Sequence, residues 1–356
     1  MGESMSTRTE TADGAPNAID ARTSAARLAV LGGLATLLLG LSITAVAGTL
    51  PRSVQFLSLG LSVLFLGVPH GAVDHLVLPR ARDAPVTHRG LALVGGIYLI
   101  AGGLYAVVWW LAPAIAFAVF ILLTLAHWGQ GDVYALVTLA GADYLETRGS
   151  RTLTLVVRGG IPMLVPLLAF PAEYAFVAGA LVGLFDPAAS AALGPAFEPE
   201  ARLALGIGFG TLLVAALALG YRATDDGPWL IDAGETLGLV AYFAVVPPIL
   251  AIGLYFPLWH SLRHILRTML LDDRTSERLA RGQLGSAFGR FARDAAPLTV
   301  GALLVFVGLA LAVPTTPATT TDLLGLYLVG IAILTLPHVV VVTLLDLETG
   351  IWTPRG

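Results

Sequence analysis

The chain has 356 residues, 56% of them hydrophobic and 12% charged, with a formal net charge of −4. Apolar runs recur along almost its whole length, which makes it a polytopic membrane protein, and the small net charge offers nothing to a nucleic-acid partner. Cysteine and lysine are both absent, which excludes disulfides, thiolate metal ligands and a Schiff base on a side-chain amine, and leaves any metal to histidine and carboxylate.

Residues 1–27 form a polar tail rich in Thr, Ala, Asp and Glu, too poor in apolar side chains to fold alone and expected to be disordered and uncleaved. Apolar length then predicts spans over residues 28–48, 54–78, 90–112, 113–139, 153–170, 172–185, 201–221, 234–256 running on to 270, 296–313 and 323–345. Together they make an all-α helical bundle of eight to ten transmembrane helices. It is expected to form a single transmembrane domain over 28–346, with a short tail at 347–356 and no internal repeat. The segment 172–185, AEYAFVAGALVGLF, is short for a span and reads equally as a re-entrant or surface helix.

Arginine placement constrains the topology. Arg22 and Arg27 lie in the tail, Arg80, Arg82 and Arg89 in the 79–89 loop, and Arg267, Arg274, Arg278, Arg281, Arg290 and Arg293 between 267 and 295. The positive-inside rule puts all three segments in the cytoplasm, with both termini inside a multi-pass cell-membrane protein. That parity needs either a span at 172–185 or a break at Pro247-Pro248.

Of seven histidines only His88 sits clearly in a loop; His70, His75, His127, His260, His264 and His338 fall within or at the ends of apolar segments. In the ten-span arrangement the segments carrying His70, His127, His260 and His338 all run in the same direction. At about 1.5 Å per residue, His70, His127 and His338 reach a similar depth. His260 and His264 are four residues apart, on one helix face. A lone intramembrane histidine is often interhelical glue, but this pair together with His70 and His127 points to a metal. Asp74 and Asp132, with Asp346, lie within two turns of a histidine and suit the acceptor of a ligating imidazole's other N–H, and His338 suits a supporting place beside the ligands. Trp128 and Trp259, each next to a candidate ligand, suit either the membrane interface or the wall of an apolar channel.

The motifs GVPHGAVDH at 67–75, LTLAHWGQGD at 123–132, PLWHSLRH at 257–264 and LPHVVVVTLLD at 336–346, in this order, resemble the Brp/Blh family of β-carotene 15,15'-dioxygenases. The resemblance covers about residues 54–346, with no matching motif between 140 and 233. It implies an integral membrane enzyme that uses Fe(II) and O2 to cut the central double bond of β-carotene into two all-trans retinals. It also implies His70, His127, His260 and His264 as the iron-binding, catalytic residues. The substrate would enter from the lipid bilayer, and a microbial opsin would be the natural recipient of the product. Four neutral imidazoles would leave the charge of Fe(II) uncancelled and two octahedral positions open for O2. A hydrocarbon about as long as the bilayer core is thick, about 30 Å, needs an apolar tunnel and no ionic anchor.

Other readings fit less well. A membrane di-iron desaturase or hydroxylase needs more histidine boxes than the single one at His260 and His264, and bis-histidine haem binding would show a Soret band. A carotenoid or retinal carrier or transporter is compatible with the Pro247-Pro248 break, but such proteins usually carry more intramembrane carboxylates.

Overall fold

The computed structural model describes residues 18–224 and 227–353, and among them there are helices and turns but no strand. The helices are α1 (Ala18–Ala47), α2 (Arg52–Ala81), α3 (His88–Leu111), α4 (Pro113–Leu139), α5 (Arg148–Ala169), α6 (Pro171–Val182), α7 (Pro199–Ala223), α8 (Gly227–Val245), α9 (248–270), α10 (Asp273–Ala280), α11 (Leu284–Ala312) and α12 (Thr320–Glu348). Eight of them, α1 to α5 with α7, α11 and α12, are long and apolar enough to cross a membrane.

The first seventeen residues of the expected tail lie outside the described residues, but its last ten are helical. That stretch is polar by composition, yet Ala21, Ala25 and Ala29 recur every four residues, and this stripe packs into a core with Ile265, Leu266, Met269 and Leu279. At the other end, the segment after Glu348 folds back on the bundle. Arg148 donates to the Trp352 carbonyl at 2.9 Å, the Trp352 indole donates to Asp346 at 3.0 Å, and Ile351 is buried.

Two features settle the topology. The segment 172–185 does not span: α6 has twelve residues, about 18 Å, and leads into a 3₁₀ stretch at Pro187–Phe197. The start of α7 lies level with the end of α5, where Arg202 donates to the Leu168 carbonyl at 2.7 Å, so the chain re-enters the bundle where it left it. The expected run from 234 to 270 is instead two helices separated at Val246-Pro247. Pro248 opens α9, and the Tyr242 hydroxyl closes the reversal onto the Ala251 carbonyl at 2.9 Å. Both arms lie along α1, with Gly238 on Leu37 and Gly32 beneath Leu258. One crossing is lost and one gained, so the arginine-rich loops stay on the same side.

That side is held by ion pairs. Arg82 meets Glu348 at 2.8 Å, Arg80 meets Asp272 at 3.3 Å, and Arg290 meets Asp272 at 2.8 Å, which ties together the ends of α2 and α12, the turn after α9 and the start of α11. In consequence α2, α4, α9 and α12 all run toward this end, as the sequence arrangement requires of the histidine-bearing segments.

Candidate metal centre and cavity

The backbone is shaped locally to deliver the histidines. Pro69 has no N–H and crowds the carbonyl four residues before it, and the preceding stretch Val63–Gly67 widens into a π-turn. The Gly67 carbonyl then accepts from the His70 Nδ1 N–H. A second π-turn, Phe256–Ser261, contains Pro257 and presents His260. Gly71 has no side chain where His338 lies, since a Cβ there would stand 3.1 Å from His338 Nδ1. Gly129 and Gly159 let α4 and α5 cross at backbone contact, which sets the placement of His127.

His70, His127, His260, His264 and His338 converge from α2, α4, α9 and α12, and all five are buried. Ring centroids are 4.7 Å apart for His127 and His260, 4.7 Å for His127 and His338, 5.0 Å for His70 and His338, 5.0 Å for His264 and His338, and 5.3 Å for His70 and His260. His338 is thus a full member of the cluster, closer to three of the others than His260 is to His264, at 6.5 Å. The sequence suggested only a supporting role for it.

Hydrogen bonding fixes the tautomers. His338 Nδ1 bonds Asp74 at 2.8 Å, and the same carboxylate oxygen accepts from the Tyr98 hydroxyl at 2.6 Å. With Nδ1 committed in both His70 and His338, their Nε2 lone pairs are left free, and among the described residues neither Nε2 has a protein partner; nor does His264 Nε2. His127 Nε2 and His260 Nε2 stand 3.0 Å apart, a separation suited to an N–H···N bond or to two nitrogens sharing one ion. Ligand atoms of His70, His127 and His338 lie within 4.8 Å of one another, as do those of Asp74, His264 and His338. Several buried imidazole nitrogens with no protein partner, oriented by carbonyl and carboxylate, suit a metal ion better than a packed core.

Asp132 does not support a histidine. It accepts from the Trp259 indole at 3.0 Å and pairs with Arg158 at 3.0 Å and Arg263 at 3.1 Å. Both arginines also pair with Glu235. This quartet of two arginines and two carboxylates joins α4, α5, α8 and α9 immediately behind the cluster. Asp346 likewise pairs with Arg267, at 2.7 Å. Trp259 belongs to this network, with the Arg263 guanidinium 4.1 Å above its ring. The sequence reading overlooked Arg158 and Glu235. The signal was a single charge in each of the apolar stretches 153–170 and 234–256, which is tolerated only when paired.

The cluster opens on a cavity of about 670 Å³ whose wall is almost entirely apolar. His70, His127 and His338 reach it, and Trp128 lines it, its ring tilted against Tyr255 and His260 at 4.9 and 5.5 Å; Trp259 does not line it. On α12 the wall runs from Leu324 to His338, about 21 Å along the axis. His75, half-buried, also lines the cavity, whereas His88 is exposed at the start of α3.

A family model described as β-carotene 15,15'-dioxygenase matches residues 61–346. This chain belongs to the β-carotene 15,15'-dioxygenase family. Its similarity to proteins described as probable β-carotene 15,15'-dioxygenases is extensive. It is 44% identical to Blh of Halobacterium salinarum over 85% of this chain and 88% of that protein, and 36% identical to Brp of the same organism over 82% and 84%. A β-carotene 15,15'-dioxygenase of an uncultured marine bacterium aligns over a shorter stretch, 30% identical across 20% of this chain. No solved structure matches. The family match spans all five clustered histidines and the whole of the charged quartet, so the β-carotene 15,15'-dioxygenase region and the cluster coincide.

Proposed function

We propose that this protein cleaves the central double bond of β-carotene with O2 to give two molecules of all-trans retinal, at an Fe(II) ion held by the histidine cluster. The observation that carries the reading is the cluster itself: five buried imidazoles, several with partnerless nitrogens, of which His70, His127 and His338 reach the wall of a long apolar cavity inside a membrane bundle. The ligands are His70, His127, His260 and His264, and His338 joins them as a fifth nitrogen, held by Asp74. When bound, iron supplies the activation of O2 that an alkene needs.

The chain's own residues do the rest. Asp74 and Tyr98 hold the His338 proton on Nδ1, and Gly67 does the same for His70, so that both rings keep Nε2 available. Trp128 and Phe256 form an aromatic wall against which a polyene can lie beside the cluster. The cavity takes a pure hydrocarbon because its wall demands no hydrogen bond, and its depth on one side of the cluster selects which of the similar double bonds is presented. Dry walls also keep water from the oxygen chemistry. Substrate and product both partition into the bilayer, where a microbial opsin can receive retinal, and the arginine-rich end faces the cytoplasm.

Expression in a β-carotene-producing, retinal-free bacterium, beside the His260→Ala variant, tests the reading. Loss of orange colour with retinal formed only by the intact protein is expected. Unchanged β-carotene, with the protein in the membrane and iron supplied, would favour a carotenoid carrier.

A further inference from the structure

A second cavity, of about 530 Å³, lies at the arginine-rich end between α1, α4, α8 and α9, and it shares no lining residue with the first. Ala26 and Leu31 of α1, Leu136 of α4 and Ile231 of α8 make its wall largely apolar. Leu31 and Ile231 are also exposed on the outer surface of the bundle, so the cavity is a groove that opens to lipid. Its α1 wall precedes the residues that the family model matches. Two charged side chains reach the groove from inside the bundle, Glu235 and Arg263.

Arg263 is only 3% exposed. Its Nη1 donates to Asp132 at 3.1 Å and its Nη2 to Glu235, but among the described residues its Nε–H is buried without a partner. Leaving a buried donor unmade is costly, the more so on a charged group. The quartet already balances two arginines with two carboxylates, so an anion at this wall would meet Glu235 with no further cation to offset it. A neutral carbonyl oxygen accepts from the Nε–H and leaves that balance unchanged. Arg27, the other cation of the groove, is exposed.

The groove follows α1 from Thr23 to Leu31, about 12 Å along the axis. Half of a substrate about 30 Å long is about 15 Å, so one cleavage product fits with its end toward the lipid. The volume is that of a site for one small ligand. We infer that this groove is a binding site for the aldehyde product, all-trans retinal, with the carbonyl oxygen on Arg263 Nε and the polyene along α1 and α4. The identity of the ligand rests on the carotenoid-cleaving reading. Because the chain has no lysine, the aldehyde is held without a covalent bond and can pass on into the bilayer. Product held here leaves the first cavity open to the next substrate.

The test titrates metal-free protein in detergent, saturated with β-carotene to fill the first cavity, with all-trans retinal, and counts the retinal retained after desalting. Ala26→Phe fills the groove from α1 and leaves the quartet untouched, and intact protein should retain one retinal per chain more than this variant. Arg263→Lys removes the Nε–H and should weaken that retention about tenfold, the worth of a hydrogen bond from a charged donor. Should it fail to fold, Ala26→Phe carries the comparison. Retinoate, whose charge faces Glu235, should bind at least about tenfold more weakly than retinal. Equal retention by intact and Ala26→Phe protein would overturn the site. So would displacement of retinal by phosphatidylglycerol that is lost in Arg27→Gln, which would mark the groove as a lipid site. If iron-loaded protein leaves β-carotene uncleaved the cleavage reading fails, while the retinal titration still decides the groove.

Discussion

Replacing Asp74 by Asn tests the assignment of His338 as a ligand without touching any imidazole. The Asp74 oxygen takes two short hydrogen bonds, from Tyr98 at 2.6 Å and His338 Nδ1 at 2.8 Å, and it is fully buried. Asparagine is nearly isosteric, but its single carbonyl oxygen cannot reproduce the carboxylate's charge. If its amide N–H₂ faces His338, Nδ1 must become an acceptor, the ring proton moves to Nε2, and the lone pair facing the cluster is lost. Loss of such a partner typically weakens metal binding by about 10- to 100-fold, which is ~1.4–2.7 kcal/mol. Iron retained by purified protein, titrated against a graded chelator series, reads this directly. Tyr98→Phe removes one bond to Asp74 but keeps the His338 partner, so it should weaken retention by less. Asp74→Asn protein that holds iron as tightly as intact protein would refute the role given to His338.

Other predictions follow from the packing. Arg158→Met leaves Asp132 and Glu235 short of a cation in a site from which Arg158 itself is almost wholly excluded from solvent, and should cost about 3–5 kcal/mol of stability; thermal unfolding in detergent measures it, and Arg158→Met with Glu235→Gln should recover part of the loss. Gly159→Val places side-chain atoms on the Leu125 carbonyl at the α4–α5 crossing, so monodisperse protein should fail to accumulate on size-exclusion chromatography. Asp272 lies outside the spans. Burial opposes its ionisation, but hydrogen bonds from Arg290 and Thr275 and the charge of Arg80 outweigh it and hold its carboxyl at about 2. Its contribution is therefore complete above the ordinary carboxylate range and lost as pH falls from about 4 through about 2, and proteolytic cleavage near 271–283 should rise over that window in intact protein but not in Asp272→Asn.

The helices and the principal histidines were legible because bilayer crossing demands long apolar runs, and an imidazole inside one is conspicuous. His338 was seen but placed in a supporting role. Its motif shows neither Asp74, 264 residues away in sequence, nor that Gly71 makes room for its ring. Asp132 was misdirected for the reverse reason: proximity along the chain to His127 suggested a partner, whereas the side chain meets Arg158 and Arg263, which only tertiary packing brings close. The start of α1 was hidden because an alanine stripe counts as weakly apolar, yet small residues are what permit close helix contact. The segment 172–185 and the Pro247-Pro248 break were coupled unknowns, since either one preserves the arginine topology. The position of Arg202 beside Leu168 decides between them.

The most direct test of the account is oxygen uptake by purified, iron-loaded protein during β-carotene turnover, with products separated by chromatography. The account predicts one O2 consumed for each β-carotene lost, two retinals formed, and no uptake by His127→Ala protein that is still correctly folded. β-Carotene that remains bound and intact while no oxygen is consumed would contradict it.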